Sequence, residues 1–311
     1  MFDLEDVRAY AEVVEAGSLS RAATRLGMSK SMLSRRLTRL EANLGAQLLA
    51  RTTRGMAATE AGSDFKLHAD RILSEMQAGR DAVGRAGEAT GRLRIAAPLS
   101  FGALHLAPVL AELALRHPGL EIQTSYSDRR VDLVAEGFDV AVRIGDLPDS
   151  SLIARRIAPV FAVTVASPGY LANAPRLESP QDLERHQTVR QHAEEVWRFL
   201  TDGREVVVRP TGRFIADSGE AILAAVVAGL GVARIPAFLV NAAMARGEVV
   251  HVLPDWPFPE AGLHVLRPPP SGYLPKKVKV LTDLLIERFA ANRDWEGCPR
   301  VRPEEPKRVR A

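Results

Sequence analysis

"GSLSRAATRLGMSKSMLSRRLTRLE", Gly17 to Glu41, carries Arg21, Arg25, Lys30, Arg35, Arg36 and Arg39 in a stretch that also reads as two short helices. Between them stands Leu26-Gly27-Met28-Ser29. Gly27 suits the left-handed C-terminal turn of the first helix, and Ser29 suits the N-cap of the second. In that second helix Leu33, Leu37, Leu40 and Leu44 recur at spacings of 4, 3 and 4, which sets a buried stripe. With side chains turning through about 100° per residue, Ser31, Arg35 and Thr38 project opposite the stripe. Ser34 and Arg39 lie beside them, and Arg36 lies nearer the core boundary. Such an outward face can read base edges, because Arg forms a bidentate pair with guanine and Ser and Thr adapt to several partners. Spacing alone fits a helix-turn-helix and a small helical bundle with a charged surface equally.

The flanking sequence extends the pattern. Upstream, Asp3 caps a helix with Leu4, Val7, Ala11 and Val14 at helical spacing, and Gly17 ends it. Ser18 or Ser20 caps the helix carrying Ala22, Ala23 and Leu26. Downstream, "QLLARTTRGMAAT" reads as two extended pieces around Thr52-Thr53-Arg54-Gly55, a hairpin wing that brings Arg51, Thr53 and Arg54 toward phosphates or a minor groove. Thr59 then caps a long helix to about Val83. Its Phe65, Ala69, Ile72, Met76, Gly79 and Val83 form a weak coiled-coil seam that suits either a partner chain or the helix's own domain.

Charge is distributed unevenly. From Arg21 to Arg54 eight basic residues face one acid, Glu41, whereas Asp3, Glu5, Asp6, Glu12 and Glu15 face only Arg8 in the first nineteen. A local basic excess of this kind is the footprint of a polyanion-binding surface. The whole chain, 311 residues with a net charge of +3, 46% hydrophobic and 25% charged, has the composition of a soluble globular protein of two or three domains. Cys298, the single cysteine, excludes an intrachain disulfide or a thiolate metal site. The acidic start "MFDLEDVRAY" is unlike a signal peptide, and no run of eighteen apolar residues stands out, so the expectation is a cytoplasmic protein with no membrane contact.

After "GEATG" (Gly87 to Gly91) the architecture changes. "GRLRIAAP", "LEIQTSYS" and "DVAVRIGD" read as strands, with "FGALHLAPVLAELALRHPG" and the shorter "RRVDLVAEG" as helices. The alternation predicts parallel sheets with crossover connections. A second α/β unit runs to about Leu253 and includes "RFIAD", a helix from Ser218 to Ala228, and "VARIP". "GLHVLRPP" and a helix from Pro275 to Ala291 return to the first unit. Two lobes so joined enclose a cleft suited to a small ligand. Ser100 and Ser218 each stand where a strand gives way to a helix, an arrangement that suits a carboxylate or other anion and equally a plain helix cap. Ser125 and Ser127 end the second strand, and Arg143 lies on the third.

The stretch "VVEAGSLSRAATRLGMSKSMLSRRLTRLEANLGAQLLARTTRGMAATEAG" resembles the N-terminal winged helix-turn-helix of LysR-type transcriptional regulators. "VDLVAEGFDVAVRIGDLPDSSLIARRI", "SPGYL" and "AVVAGLGVARIPAFLV" resemble that family's effector-binding domain, which is similar to type 2 periplasmic solute-binding proteins. The resemblance covers about residues 2–292. It implies an α/β protein with a winged helix-turn-helix (1–58), a dimerising linker helix (59–87) and a two-lobed effector domain (91–292); the remaining 293–311, rich in Pro and charge, reads as a disordered tail. Lys30, Ser31, Ser34 and Arg35 would enter the major groove, and Arg54 and its neighbours would form the wing. Lys30 stands where the family often has Gln, and Met32 is bulkier than usual.

The resemblance completes the candidate DNA-contacting set with Ser20, Arg21, Thr38, Arg39, Arg51 and Thr53. It places effector contacts around Ser100, Phe101, Ser127, Asp217 and Ser218. It implies a homodimer or homotetramer on an interrupted palindrome of double-stranded DNA and a small effector, which the helix starts at Ser100 and Ser218 suggest is anionic, and no cofactor or metal is expected. An enzyme, or an α/β small-molecule binder with only non-specific DNA affinity, is the competing reading. It has no G-x-S-x-G elbow, P-loop or H-E-x-x-H to stand on, and the seven histidines fall at no metal-ligand spacing.

Overall fold

The computed structural model describes residues 3–52, 55–83, 88–147, 149–192, 195–201, 203–269 and 274–290. The head begins with α1 (Leu4–Ala16), α2 (Leu19–Leu26) and α3 (Lys30–Leu44). Asp3 accepts from the Glu5 N–H at 3.1 Å and Ser29 from the Met32 N–H at 3.2 Å, while Gly17, Gly27 and Gly45 end the three helices in the left-handed region. Ser18 holds the N-cap position of α2 without a side-chain bond, and Ser20 lies inside the helix, so neither hydroxyl caps it. Leu33, Leu37 and Leu40 are buried against Val7, Tyr10, Val13 and Ala22. Leu44 is only partly buried, at the edge of that core.

The wing is an antiparallel pair, β1 (Leu49–Thr52) and β2 (Gly55–Ala58), with Thr52 opposite Gly55. Glu41, the lone acid of the basic stretch, anchors it by accepting from the Leu48 and Leu49 N–H groups at 2.8 and 3.0 Å. The Met56 N–H bonds to the Gly17 carbonyl at 3.0 Å, so the wing leans on the α1–α2 corner. α4 (Glu60–Val83) follows, with Thr59 accepting from the Gly62 N–H at 3.0 Å. Phe65 meets Tyr10 edge-on at 5.3 Å, and Ala69 is fully buried, so the first half of the seam packs on its own domain.

The remaining strands build two five-stranded sheets and one two-stranded hairpin. β3 (Gly91–Ala97), β4 (Leu120–Tyr126), β5 (Val140–Ile144) and β6 (Ile153–Val160) belong to the first sheet. Between β3 and β4 runs a continuous helix: α5 (Leu99–Phe101), a π turn (Gly102–Leu106) and α6 (Ala107–Arg116). At eighteen residues this helix is long and apolar enough to cross a membrane, although Ser100, His105, Glu112 and Arg116 interrupt it, and its Phe101, Leu106, Leu110 and Leu113 are buried in the domain core.

The chain then passes through Phe161 into β7 (Ala162–Ala166), α7 (Pro168–Leu171), β8 (Thr188–Gln191), the hairpin β9 (Trp197–Thr201) and β10 (Arg204–Val208), and β11 (Phe214–Ala216). α8 (Gly219–Val227), β12 (Val232–Pro236), α9 (Ala237–Ala245) and β13 (Val250–Val252) complete the second lobe. β14 (Ala261–Arg267) and α10 (Lys276–Phe289) return to the first.

Strand orders are β4-β3-β5-β14-β6 and β11-β8-β12-β7-β13. The sheets are mixed, not purely parallel as the alternation predicts: β14 is antiparallel to β5 and β6, and β7 to β12 and β13. Each reversed strand is the first one laid down after the chain changes lobe, and it enters without a crossover helix to turn it around. A second correction concerns "RRVDLVAEG", which forms only a turn at 133–137. Asp132 accepts from the Val134 and Ala135 N–H groups, Gly137 is left-handed, and Leu133 is the only fully buried anchor, too little to propagate a helix.

The head meets the first lobe through charge. Glu15 on α1 pairs with Lys66 on α4 at 3.0 Å and with Arg92 on β3, and Lys66 also holds Asp70 at 2.6 Å. A cavity of about 730 Å3 lies between α1, α4 and the first lobe, beside these residues.

Candidate functional site

On α3 the buried leucines turn Lys30, Ser31, Ser34, Arg35, Thr38 and Arg39 to solvent, and all six are exposed. Arg35 donates weakly from Nε to the Ser31 carbonyl at 3.4 Å, which leaves the tips of its fork to point outward. The Ser31 hydroxyl pairs with that of Ser29 at 3.1 Å. Arg39 is different. It donates to Asp6 Oδ2 at 2.6 Å and to Oδ1 at 2.5 Å, and Arg36 adds a bond to Oδ1 at 3.1 Å. Burial pushes the Asp6 carboxyl up, and the two guanidinium groups more than reverse this, so it titrates below the ordinary carboxylate range.

Ser20 and Arg21 are exposed at the start of α2, and Arg51 is exposed on β1. Thr53 and Arg54 lie outside the described residues. Met32, 46% exposed, adds an apolar tip to the same face of α3 as the polar readers. A thymine methyl is the base feature an apolar tip suits, and only exposure, which spacing does not report, marks it.

The second candidate site lies where the two lobes meet. Ser100, on the first lobe, is buried, and its hydroxyl donates to Glu220 Oε2 of the second lobe at 2.6 Å. Ser218 donates to the same oxygen at 3.0 Å and accepts from the Ala221 N–H at 3.3 Å, so it is also the cap of α8. The helix that begins at Leu99 is capped from outside by Asp128, whose Oδ1 accepts the Leu99 N–H at 3.1 Å. Burial raises the Asp128 carboxyl above its ordinary value, and the charges of Glu220 and Asp217 add to this against the Leu99 N–H and Arg143.

The other expected contacts divide. Arg143 donates to the carbonyls of Ser127 and Arg129 at 3.3 and 2.8 Å, and burial lowers its pKa. The Ser127 hydroxyl accepts from the Arg129 N–H at 3.3 Å, which closes a local turn. Ser125 is half-buried on β4 opposite Ala96, and Asp217 is exposed. Phe101 is a core residue, 1% exposed and packed on His105, Phe238 and Phe289, so it does not face the cleft. Glu220 and Asp128 carry no sequence signal beyond that of acids near helix starts.

A basic, polar face on a helix seated by leucines, beside a wing and joined to a two-lobed α/β unit, defines a ligand-responsive DNA-binding protein. The chain matches the family model for the bacterial regulatory helix-turn-helix protein of the LysR family over residues 4–63 and that for the LysR substrate binding domain over residues 86–290. It belongs to the LysR family of transcriptional regulators, which are not enzymes.

It is 38% identical over 291 residues to the HTH-type transcriptional regulator PtxR of Pseudomonas aeruginosa, covering 92% of this chain and 93% of that one. It is 31% identical over 257 residues to the HTH-type transcriptional activator TtdR of Escherichia coli, covering 81% and 83%. Among solved structures it is similar to full-length AphB, a virulence activator of Vibrio cholerae (TM-score 0.56, 28% identity, 92% of this chain and 99% of that chain). It is also similar to CrgA of Neisseria meningitidis (TM-score 0.58, 29% identity, 92% and 99%).

Proposed function

We propose that this regulator reads its operator with Lys30, Ser31, Ser34, Arg35 and Thr38 of α3 in the major groove, and with Met32 against a thymine methyl. Ser20 and Arg21 meet the flanking phosphates. Arg51, Thr53 and Arg54 of the wing hold phosphates or enter the minor groove. Arg39 contributes its charge to this surface while it orients α3 through Asp6. The observation that carries the reading is the exposure of this polar face opposite fully buried Leu33 and Leu40.

Two chains pair through the later half of α4, where Ile72 and Met76 are only half-buried, and present two heads to an interrupted palindrome in the cytoplasm. The boundaries 1–58, 59–87, 91–292 and 293–311 divide head, linker, effector domain and tail. Residues 293–311 lie outside the described residues. A small effector binds between the lobes, near Ser100, Ser125, Ser127, Arg143, Asp217 and Ser218. It shifts the spacing of the heads by favouring one lobe arrangement over another. An anionic effector, the sequence expectation, would have to take the Ser100 and Ser218 hydroxyls from Glu220, which holds both.

Retention of random duplexes by the purified chain tests this reading. A retained fraction enriched in sequence supports it. Uniform retention that disappears as salt rises contradicts it.

A further inference from the structure

The Ser100–Glu220 bond joins two residues 120 positions apart on opposite lobes, at the place where the sequence leads one to expect an anionic ligand. Both hydroxyls that would recognise such a ligand, Ser100 and Ser218, already donate to one oxygen of Glu220. Gly219 makes the approach possible: a Cβ there would stand 3.2 Å from the Ser100 hydroxyl and 2.7 Å from Leu239. The backbone donor at the start of the first-lobe helix, Leu99 N–H, is likewise taken by Asp128. Arg143 is held by one bond from each terminal nitrogen to the Ser127 and Arg129 carbonyls.

We propose that Glu220 is a specificity-determining residue of the effector cleft, a tethered carboxylate that holds the anion position and closes the lobes through Ser100. The inference rests on the cleft being the effector site, as proposed above. A free anion must displace Glu220 and then sit among three carboxylates, Asp128, Asp217 and Glu220, with Arg143 the cation among them. Like charges gathered at one place oppose the binding of a further anion. An effector that is neutral or cationic and offers N–H or O–H donors meets acceptors already in position. The cleft therefore selects against simple anions, and Glu220 makes that selection.

Titration calorimetry of the full-length protein with sodium sulfate at fixed ionic strength tests the proposal, because sulfate suits a pair of helix starts. The set is the wild type, Glu220→Gln, Glu220→Ala, and Ser100→Ala combined with Glu220→Gln. The expected result is no saturable binding to the wild type. Both Glu220 variants should show saturable binding at least tenfold tighter than the detection limit for the wild type, and the gain should vanish in the double variant. Equal binding by wild type and Glu220 variants that still depends on Ser100 overturns the role of Glu220 and leaves the cleft as the effector site. Binding indifferent to Ser100 overturns both. Absence of binding in every variant overturns the proposal, since removal of the carboxylate should have freed the site.

Discussion

Arg39 on α3 clasps Asp6 on α1 through two hydrogen bonds of 2.6 and 2.5 Å, although the two residues are 33 positions apart. Asp6 is fully buried, and Arg36 supplies its third bond. The orientation of the reading helix is therefore fixed by a carboxylate in the head's core, not by the leucine stripe alone. Paired guanidinium–carboxylate bonds of this kind are directional, so they set the rotation of α3 about its axis.

Asp6→Ala should cost about 1–3 kcal/mol, because α3 loses its charged hydrogen bonds to α1 while the arginine heads left behind remain accessible to water. Urea unfolding of the full chain, followed by a probe in the head, measures it. A loss under about 1 kcal/mol would mean the clasp contributes little beyond a surface ion pair.

The same carboxyl gives the head a pH dependence of known sign. Its folded pKa is depressed, so its contribution is fully present above the unfolded value near 3.9 and is lost as pH falls through the lower folded value. Stability should therefore decline in acid below about pH 4. Asp6→Asn should flatten that part of the profile. An unchanged slope in the variant would assign the acid sensitivity to other carboxylates.

Gly55→Ala should detach the wing. A Cβ at Gly55 would stand 2.3 Å from the Gly17 carbonyl oxygen, and the residue's φ of 133° is one that side chains disfavour. The expected cost is about 1–3 kcal/mol in stability, with weaker DNA binding and α3 intact by amide exchange. Wild-type affinity in this variant would show that the wing does not touch DNA.

Arg51→Ala should weaken binding to every duplex by a similar factor and reduce the salt slope by about one ion, since a phosphate contact carries no sequence information. Anisotropy titrations across salt concentrations on matched and scrambled duplexes separate the cases. A change in base preference with an unchanged slope would place Arg51 on base edges.

What local sequence records is what was legible in it. Gly27, Ser29 and the leucines of α3 are short-range signals, as are the wing's turn and the alternation of strands and helices. Pairings between distant residues leave no periodic trace, which is why Asp6–Arg39 and Ser100–Glu220 emerge only from the structure. The reversed strands β7 and β14 follow from which lobe the chain has just left, a matter of path that composition does not encode. Phe101 shows the limit of reasoning from neighbours: it follows a cleft serine, yet the rotation of about 100° per helical residue carries its ring into the core. The β9–β10 hairpin did have a signal, Asp-Gly at 202–203 between apolar runs.

The central claim is that the outward face of α3 reads bases, and one measurement addresses it most directly. Random duplexes are selected with the wild type and with Arg35→Ala in parallel, and both pools are sequenced. The account predicts an enriched interrupted palindrome for the wild type. The variant should lose preference at one position in each half-site, with about 1–3 kcal/mol less discrimination there. The same enriched sequence from both proteins, or none from either at moderate salt, would contradict it.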